Sequence, residues 1–313
     1  MNAAPAPAAL EPEEEAAVAA RGYRRLALRR LVRQPATLAA SFVLLGLVGA
    51  GILAPQIAPK GWNSIDLSGT WVNHGPTLAS AHLLGTDNIG RDVLDRTLWG
   101  LHYSVQTAFV AGAGATLLAL LLGVWAGYRG GWADAALMRL ADLVTGFPIL
   151  VTMIAAFVWL RPITVWKTTL VFTFAIWPFA ARALRARAAS IAAEEYVQAA
   201  QALGSSDLRI VVRHVLPNAA GTVVVAGTSL LGQIVLIESM AEFFGFGVPS
   251  VTRPTLGNLI AEATRGGLFD AVSIGLGWWT WATPMLALVL LLAAVNLIGD
   301  GLDTALNPRS SRA

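Results

Sequence analysis

The residues that bind nucleotide phosphates do not occur at the spacing that a phosphate-binding loop needs. Such a loop places Lys after a Gly-rich turn and before Ser or Thr, so that backbone N–H groups and the Lys surround the phosphates. The two Lys of the chain are Lys60 and Lys167, and Pro59 and Trp166 precede them. We therefore expect no ATP site, no bound cofactor and no hydrolytic activity of the chain itself.

Metal-binding and nucleophilic residues are equally sparse. The chain has no Cys, which excludes disulfides, thiolate metal sites and Cys nucleophiles. Its four His residues are scattered along the chain. Three of them, His74, His82 and His102, fall in or beside one polar loop, and the fourth is His214. A nickel site in that loop is the alternative to ordinary solvated histidines. We favour the solvated histidines and expect no metal site and no catalytic residue.

Two carboxylates, Asp142 and Glu238, occur in or beside long apolar stretches. An ionisable side chain is costly in lipid, so it usually faces a pathway or another subunit. Three roles are open for these residues: contact with a transported substrate, a proton relay, or a structural polar contact. We favour the structural contact.

The composition predicts an all-α membrane protein. Of the 313 residues 56% are hydrophobic and 13% charged, and the mean hydropathy is +0.61, far from the values of soluble proteins. Because a helix needs about 20 apolar residues to cross the hydrocarbon core, we expect six spans, near 36–53, 105–127, 143–160, 163–181, 219–240 and 281–298. The third and fourth are separated by Arg161 and Pro162, so a hairpin within the membrane is an alternative there.

The distribution of basic residues predicts the orientation. If the N-terminus is cytosolic, fifteen of the 22 basic residues fall in cytosolic segments, as the positive-inside rule requires. Both termini are then cytosolic, and residues 1–33 form a partly disordered cytosolic tail. Because the Arg residues are divided among apolar spans rather than forming a stripe, the formal charge of +3 does not indicate binding to nucleic acid.

A segment between the fourth and fifth spans has the pattern of two short helices. Glu194 and Glu195 open the first helix, where acidic residues favour the helix dipole, and Gly204 can end it in the left-handed conformation. Ser205, Ser206 or Asp207 can cap the second. The first helix also carries a surface of small side chains that suits insertion into a groove on another protein; these are Ala199, Ala200 and Ala202.

This segment resembles the cytoplasmic coupling loop of ABC-importer permeases, which docks on the ATPase subunit. The resemblance rests on Gln198-Ala199-Ala200, on Gly204 and on Leu216-Pro217. An amphipathic helix lying in the membrane interface is the alternative, but it needs no Gly and Leu-Pro at these spacings. The family usually has Glu where this chain has Gln198. We call residues 194–217 the coupling loop; the resemblance implies that its ATPase-coupling residues are Glu194, Glu195, Tyr196, Gln198, Ala199, Ala200, Gly204, Leu216 and Pro217.

A second block narrows the resemblance to the second-type permease subunit of dipeptide, oligopeptide and nickel importers. It spans residues 84–94, which we call the external motif, and its characteristic positions are Gly85, Thr86, Asp87, Gly90, Arg91 and Asp92. An ordinary turn with an Asp-Arg ion pair is the simpler explanation of this block alone. Further matches, in the same order as in the family, extend the resemblance over most of the chain; they include Phe147-Pro148, Phe244-Gly245-Phe246-Gly247 and Asn307-Pro308.

The resemblance implies a type I ABC-importer transmembrane domain with six transmembrane helices. Residues 34–104 are then the first span and an external loop, and residues 105–308 the transmembrane domain, with the coupling helix near 194–204. The implied partners are a sister permease, two ATPase subunits, an external substrate-binding protein and membrane lipid in the cell membrane. Peptides or related solutes, including nickel chelates, are the implied substrates. A proton-coupled secondary transporter that uses Glu238 and Asp142 is the alternative.

Overall fold

The computed structural model describes residues 30–66, 72–78, 82–265 and 277–306. In these ranges the chain is helical apart from its connecting loops and two isolated β-bridges. The helices are α1 (Pro35–Ile52), α2 (Ala54–Ile57), α3 (Val93–Arg129), α4 (Gly131–Thr145), α5 (Ile149–Trp159), α6 (Val165–Ala192), α7 (Glu195–Ala202), α8 (Asp207–Ile210), a π-helical turn (Val211–Val215), α9 (Leu216–Phe243), α10 (Leu256–Arg265) and α11 (Trp278–Leu306).

Four of the described helical stretches are long and apolar enough to cross a membrane. They are α1, α3, the stretch 207–243 that ends with α9, and α11, and they contain the first, second, fifth and sixth predicted spans. The pair α4 and α5 adds a fifth if it is counted as one bent span. The expected count of six therefore remains a prediction, because α6 is 28 residues long but carries Lys167, Arg182 and two further Arg.

The third predicted span, near 143–160, is wrong as a continuous helix. The chain breaks between Thr145 and Ile149, and α4 and α5 meet at a bend of 83°. Pro148 accounts for the break, since it has no N–H to donate and disfavours a helical conformation in the residue before it. Between α5 and α6, the Lys167 ammonium donates to the carbonyls of Leu160 and Pro162, at 2.8 and 3.0 Å, and so ties the turn together.

The helix that holds the second predicted span begins twelve residues earlier than the predicted start at Val105, at Val93. Asp92 sets this boundary, because its side chain accepts a hydrogen bond from the Asp95 N–H at 3.0 Å and caps the helix. The external motif therefore leads directly into α3.

Small residues let α3 and α6 approach each other closely, which builds the centre of the fold. A Cβ added at Gly123 would lie 2.5 Å from the Ala181 carbonyl oxygen, and one at Gly127 would be closer still to that of Arg185. Such contacts between backbones are typical of helices packed within membranes. Three fully buried alanines follow one face of α3, at Ala111, Ala115 and Ala119.

Candidate functional site

Of the two short helices that the sequence predicts in the coupling loop, α7 is a separate helix, whereas α8 runs through the π-helical turn into α9 as one stretch, 207–243. Gly204 has φ +80°, and its N–H donates to the Gln201 carbonyl at 2.9 Å while the Ser205 N–H reaches the Ala200 carbonyl at 3.1 Å. This pair of bonds is a Schellman motif, which needs the left-handed residue at this position. The expectation for the end of α7 is confirmed. Ser206 occupies the N-cap of α8, although no side chain there accepts a capping hydrogen bond.

The loop is held against the end of α3 by a contact that the sequence gave no reason to expect. The Tyr128 hydroxyl donates to Asp207 Oδ1 at 2.9 Å, and Arg129 Nη1 lies 2.5 Å from Asp207 Oδ2. Val197 and Ile210 are fully buried beneath the two short helices. α7 and α8 are therefore fixed to the helical domain at two points.

The outward surface of α7 is exposed and mostly uncharged. Glu194, Glu195, Tyr196, Gln198 and Ala199 are all exposed, and Ala200 is half-buried. Beyond the helix end, Leu203 is 87% exposed and Leu208 69%. Two large apolar side chains at the tip of a polar loop form a surface that a partner can cover. At the other end of the loop, Leu216 and Pro217 begin α9, and the Asn218 amide donates to the Tyr196 hydroxyl at 3.3 Å.

The external motif forms a tight turn against α11. Gly85 has φ +78°, and a Cβ added there would lie 2.5 Å from the His74 carbonyl oxygen and 2.8 Å from Nε1 of Trp279. That indole N–H donates to the Thr86 carbonyl at 3.0 Å, and the Thr86 hydroxyl accepts from the His74 N–H at 3.0 Å. Only Gly fits this position, which explains why the motif begins with it.

Asp87 and Arg91 belong to a four-residue charge cluster, which we call the arginine clasp: Asp87, Arg91 and Arg96 are buried, and Glu262 is half-buried. Asp87 Oδ2 accepts from Arg91 Nε at 2.6 Å and from Arg96 Nη1 at 2.7 Å. Glu262 Oε2 accepts from Nη2 of both arginines, and the Ser250 hydroxyl donates to Glu262 Oε1. Two carboxylates thus balance two guanidinium groups, which is the arrangement that buried charges require. A turn with one Asp-Arg ion pair, the simpler explanation of the motif, does not describe this cluster, because the cluster also contains Arg96 and Glu262.

The clasp holds both of its carboxylates ionised. Burial raises the pKa of Asp87, but hydrogen bonds from Arg91 and the charges of Arg91 and Arg96 lower it more, so the net shift is downward. Burial likewise raises the pKa of Glu262, and the Arg96 charge together with the Ser250 hydrogen bond reverses the shift. The clasp joins the external motif, the start of α3 and α10.

The remaining motif residues fix the loop around the clasp. Gly90 has φ +87°, and its carbonyl accepts from the Asp66 N–H at 3.0 Å. Asp92 caps α3 through Oδ1, while its Oδ2 lies 2.7 Å from His82 Nδ1. His82 Nε2 lies 3.3 Å from Asp66 Oδ2. His82 therefore bridges two carboxylates, rather than being a solvated loop histidine as the sequence suggested.

Glu238 lies in the interior, near the end of α9 that is remote from the coupling loop. It is 1% exposed, and its Oε2 has no hydrogen-bond partner among the described residues. Arg253 is the nearby cation: it is 6% exposed, lies 4.8 Å from the ring centre of Tyr103 and donates to the Thr107 hydroxyl at 3.0 Å. Glu242, one turn further along α9, accepts from the Thr255 hydroxyl.

Asp142 lies elsewhere. It is on α4, where its Oδ1 is 3.0 Å from Arg182 Nη2 of α6, and both side chains are about half exposed. Its partner Arg182 lies on α6, whereas the groups named above around Glu238 lie on α3, on α9 and in the segment before α10. The structure does not bring the two carboxylates into one site, so it offers nothing for a proton relay that uses both.

Comparison with known proteins assigns the chain to a family. Residues 119–312 match the family described as "Binding-protein-dependent transport system inner membrane component". The chain belongs to this family. The oligopeptide transport system permease protein OppC of Mycobacterium bovis is 31% identical over 92% of the chain and 95% of its own length. A Brucella suis protein, named as a peptide transport system permease, is 33% identical over 91% of both chains.

Solved structures agree on the fold of this binding-protein-dependent permease. A chain of the MetNI methionine ABC transporter in an inward-facing conformation aligns with a TM-score of 0.53 and 20% identity, covering 66% of this chain and 94% of that one. A second crystal form gives the same TM-score at 18% identity. The fold is therefore that of an ABC-importer membrane component.

Sequence reasoning missed the partners of the motif residues in this permease. Arg96 and Glu262 complete the clasp, and Asp207 anchors the coupling loop. The spacing of Asp87 and Arg91, four residues apart, was a usable signal for their ion pair. No spacing in the sequence could indicate Glu262, which is 171 residues from Arg91.

Proposed function

We propose that the chain is one of the two membrane-spanning subunits of an ATP-driven peptide importer, with α7 as the point at which an ATPase subunit docks. The exposed surface of α7, fixed to the domain by the buried Val197 and by Asp207, is the observation that carries the proposal. The names of the relatives support peptides as the substrate class. The nine coupling residues of the sequence analysis are the proposed contact set.

The proposed assembly contains this chain, a sister permease, two ATPases and an external binding protein that delivers the peptide. ATP-driven closure of the ATPases displaces α7 as a rigid body, because Val197 and Ile210 bury its inner side and Asp207 ties the loop to α3. α9 continues directly from the coupling loop, so the displacement reaches the membrane span and shifts the balance between inward-open and outward-open states.

The proposed orientation in the cell membrane places both termini and the coupling loop in the cytosol. The orientation itself rests on the distribution of basic residues, and three exposed tryptophans support the position of the two membrane interfaces, since Trp favours both of them. Trp132 is 85% exposed at the start of α4, close to the coupling loop, and Trp159 and Trp166 are 85% and 73% exposed at the turn between α5 and α6. The division at residues 33/34 and 104/105 remains part of this proposal. Asn307, Pro308 and most of the N-terminal tail lie outside the described residues.

Site-directed cross-linking tests the docking role. The chain has no Cys, so Leu203→Cys gives one thiol at the exposed tip of the coupling loop. In the assembled complex a bifunctional thiol reagent should join it to a Cys introduced in the ATPase groove. Leu78→Cys, at a side chain 94% exposed on the opposite side of the proposed topology, is the control and should give no adduct. Failure of Leu203→Cys to react with the ATPase in a complex that copurifies intact would remove the docking role.

A further inference from the structure

One face of α9 carries polar side chains next to a cavity of about 310 Å³. The residues of α9 that line it recur at helical spacing; they are Thr222, Val225, Ala226, Ser229, Leu230 and Gln233. The other walls are formed by α6, through residues such as Phe179, and by Asp303 of α11. The cavity is thus an open cleft bordered by three helices, and its α9 wall includes the buried core residue Leu230.

Gln233 and Thr222 have no hydrogen-bond partner among the described residues, and the Ser229 hydroxyl only donates back to the Val225 carbonyl at 3.0 Å. An amide that faces lipid without a partner costs several kcal/mol by the usual estimates. Polar residues in membrane helices accordingly face a water-filled cavity or another protein surface. A carboxamide half-buried at the edge of a cavity fits a wet lining better than lipid.

The polar stripe also has the length of a half-channel. From Thr222 to Gln233 it covers eleven helical positions, about 16 Å at about 1.5 Å each, roughly half of the hydrocarbon core. It begins close to the coupling loop and ends at Gln233, after which the same face of α9 becomes apolar at Leu236 and Met240. The polar part of this face therefore lies toward the coupling-loop end of α9 and the apolar part toward the other end.

We infer that Thr222, Ser229 and Gln233 line the substrate path of this subunit and that Gln233 hydrogen-bonds the peptide groups of the substrate. This inference rests on the proposed function. Every non-Pro residue of a peptide offers one backbone donor and one acceptor, and a carboxamide supplies both kinds of group without a charge. Such a contact recognises the backbone and is indifferent to side chains, which suits a carrier of peptides with varied sequences.

Cysteine accessibility in the assembled transporter tests the assignment. Single Cys residues at the three stripe positions should react with a charged, water-soluble methanethiosulfonate reagent added from the coupling-loop side, about tenfold faster than matched lipid-facing positions. Two exposed positions on α3 serve as controls. The register of α3 against α9 is set by two contacts, since Gly227 lies beside Thr116 and Gly112 lies beside Leu231. At this register Leu121 is level with Thr222, and Val110 is level with Gln233. The side chains of Leu121 and Val110 are 59% and 45% exposed.

Equal rates at stripe and control positions would overturn the inference. So would stripe cysteines that react in the isolated chain and are fully protected in the complex, because that result assigns the stripe to the sister-permease contact. Both results can be obtained with a transporter that still imports peptide, so failure of the inference is distinguishable from failure of the proposed function. If the proposed function itself is wrong, the wild-type transporter shows no ATP-dependent peptide uptake.

A substitution tests the role of Gln233. Gln233→Leu should lower the rate of peptide uptake about tenfold, the worth of one hydrogen bond to the substrate. Gln233→Asn keeps the carboxamide and should restore part of the rate. Copurification with the partner subunits checks that each variant assembles. Uptake by Gln233→Leu at the wild-type rate, in a complex that copurifies normally, would contradict the contact.

Discussion

At the scale of single residues, Asp87 is the central charge of the arginine clasp. Its carboxylate accepts hydrogen bonds from two guanidinium groups and from the N–H groups of Ile89 and Arg91. Asp87→Asn keeps the shape but leaves two buried arginines with Glu262 alone, and loss of one partner of a buried ion pair costs about 3–5 kcal/mol. We expect the thermal unfolding midpoint of the purified complex in detergent to fall markedly.

Asp142→Asn is the matched control, because it breaks an ion pair with Arg182 at 3.0 Å in which both partners are about half exposed. Exposed pairs contribute about 1 kcal/mol or less, so the midpoint should change little. Equal shifts in the two variants would show that the clasp does not stabilise the protein. Because the clasp lowers the pKa of Asp87 and Glu262, its contribution is present above their ordinary values and should disappear as the pH falls below them.

His82 gives a second residue-scale prediction with the opposite pH dependence. Burial lowers the pKa of His82, but hydrogen bonds with Asp92 and Asp66 raise it more, so the net shift is upward. Its stabilising contribution is therefore complete below the ordinary value of 6.5 and is lost as the pH rises through the higher value in the folded protein. Unfolding midpoints measured from pH 5.5 to pH 9 should fall more steeply for the wild type than for His82→Gln. Parallel curves would mean that His82 does not contribute to the pH dependence of stability.

At the scale of the elements, the end of α7 depends on one backbone conformation. Gly204 has φ +80°, with no atom near enough to obstruct a side chain, so any penalty at this position comes from the backbone. Gly204→Val should cost about 1–2 kcal/mol locally and displace the tip of the coupling loop. We expect the complex to assemble while peptide-stimulated ATP hydrolysis falls several-fold.

Ser205→Val is the control for this prediction, since it adds the same side chain one residue later. Ser205 does not have a positive φ, and its backbone N–H still bonds to the Ala200 carbonyl. Stimulation of the ATPase should remain near the wild-type value. If Gly204→Val and Ser205→Val behave alike, the left-handed end of α7 is not needed for coupling.

The helix ends show which parts of the fold could be predicted from the sequence. The end of α7 followed from Gly204, because a residue in the left-handed conformation acts on the backbone within a few positions. The bend between α4 and α5 was missed, although Pro148 was visible, because the apolar run 143–160 continues across it. Periodicity and hydropathy measure composition along the chain, and they do not record the direction in which a helix points.

At the scale of the whole molecule, the missed features are those that join distant parts of the chain. The arginine clasp connects the external motif to α10, and Asp207 connects the coupling loop to α3. In both cases the sequence pattern indicated one partner of the contact, and only the folded structure showed the other partner. These two contacts lie at opposite ends of α3, so one helix of 37 residues links the two functional regions.

In the proposed function, the chain moves peptide only when separate ATPases drive it. The most direct measurement compares peptide accumulation in two sets of proteoliposomes. One holds this chain, its sister permease, both ATPases and the external binding protein, and receives ATP without a proton gradient. The other holds the chain alone under a proton gradient without ATP. We expect uphill accumulation in the first set and none in the second, because the ATPases supply the free energy for the change between inward-open and outward-open states. Proton-driven accumulation by the chain alone would contradict it.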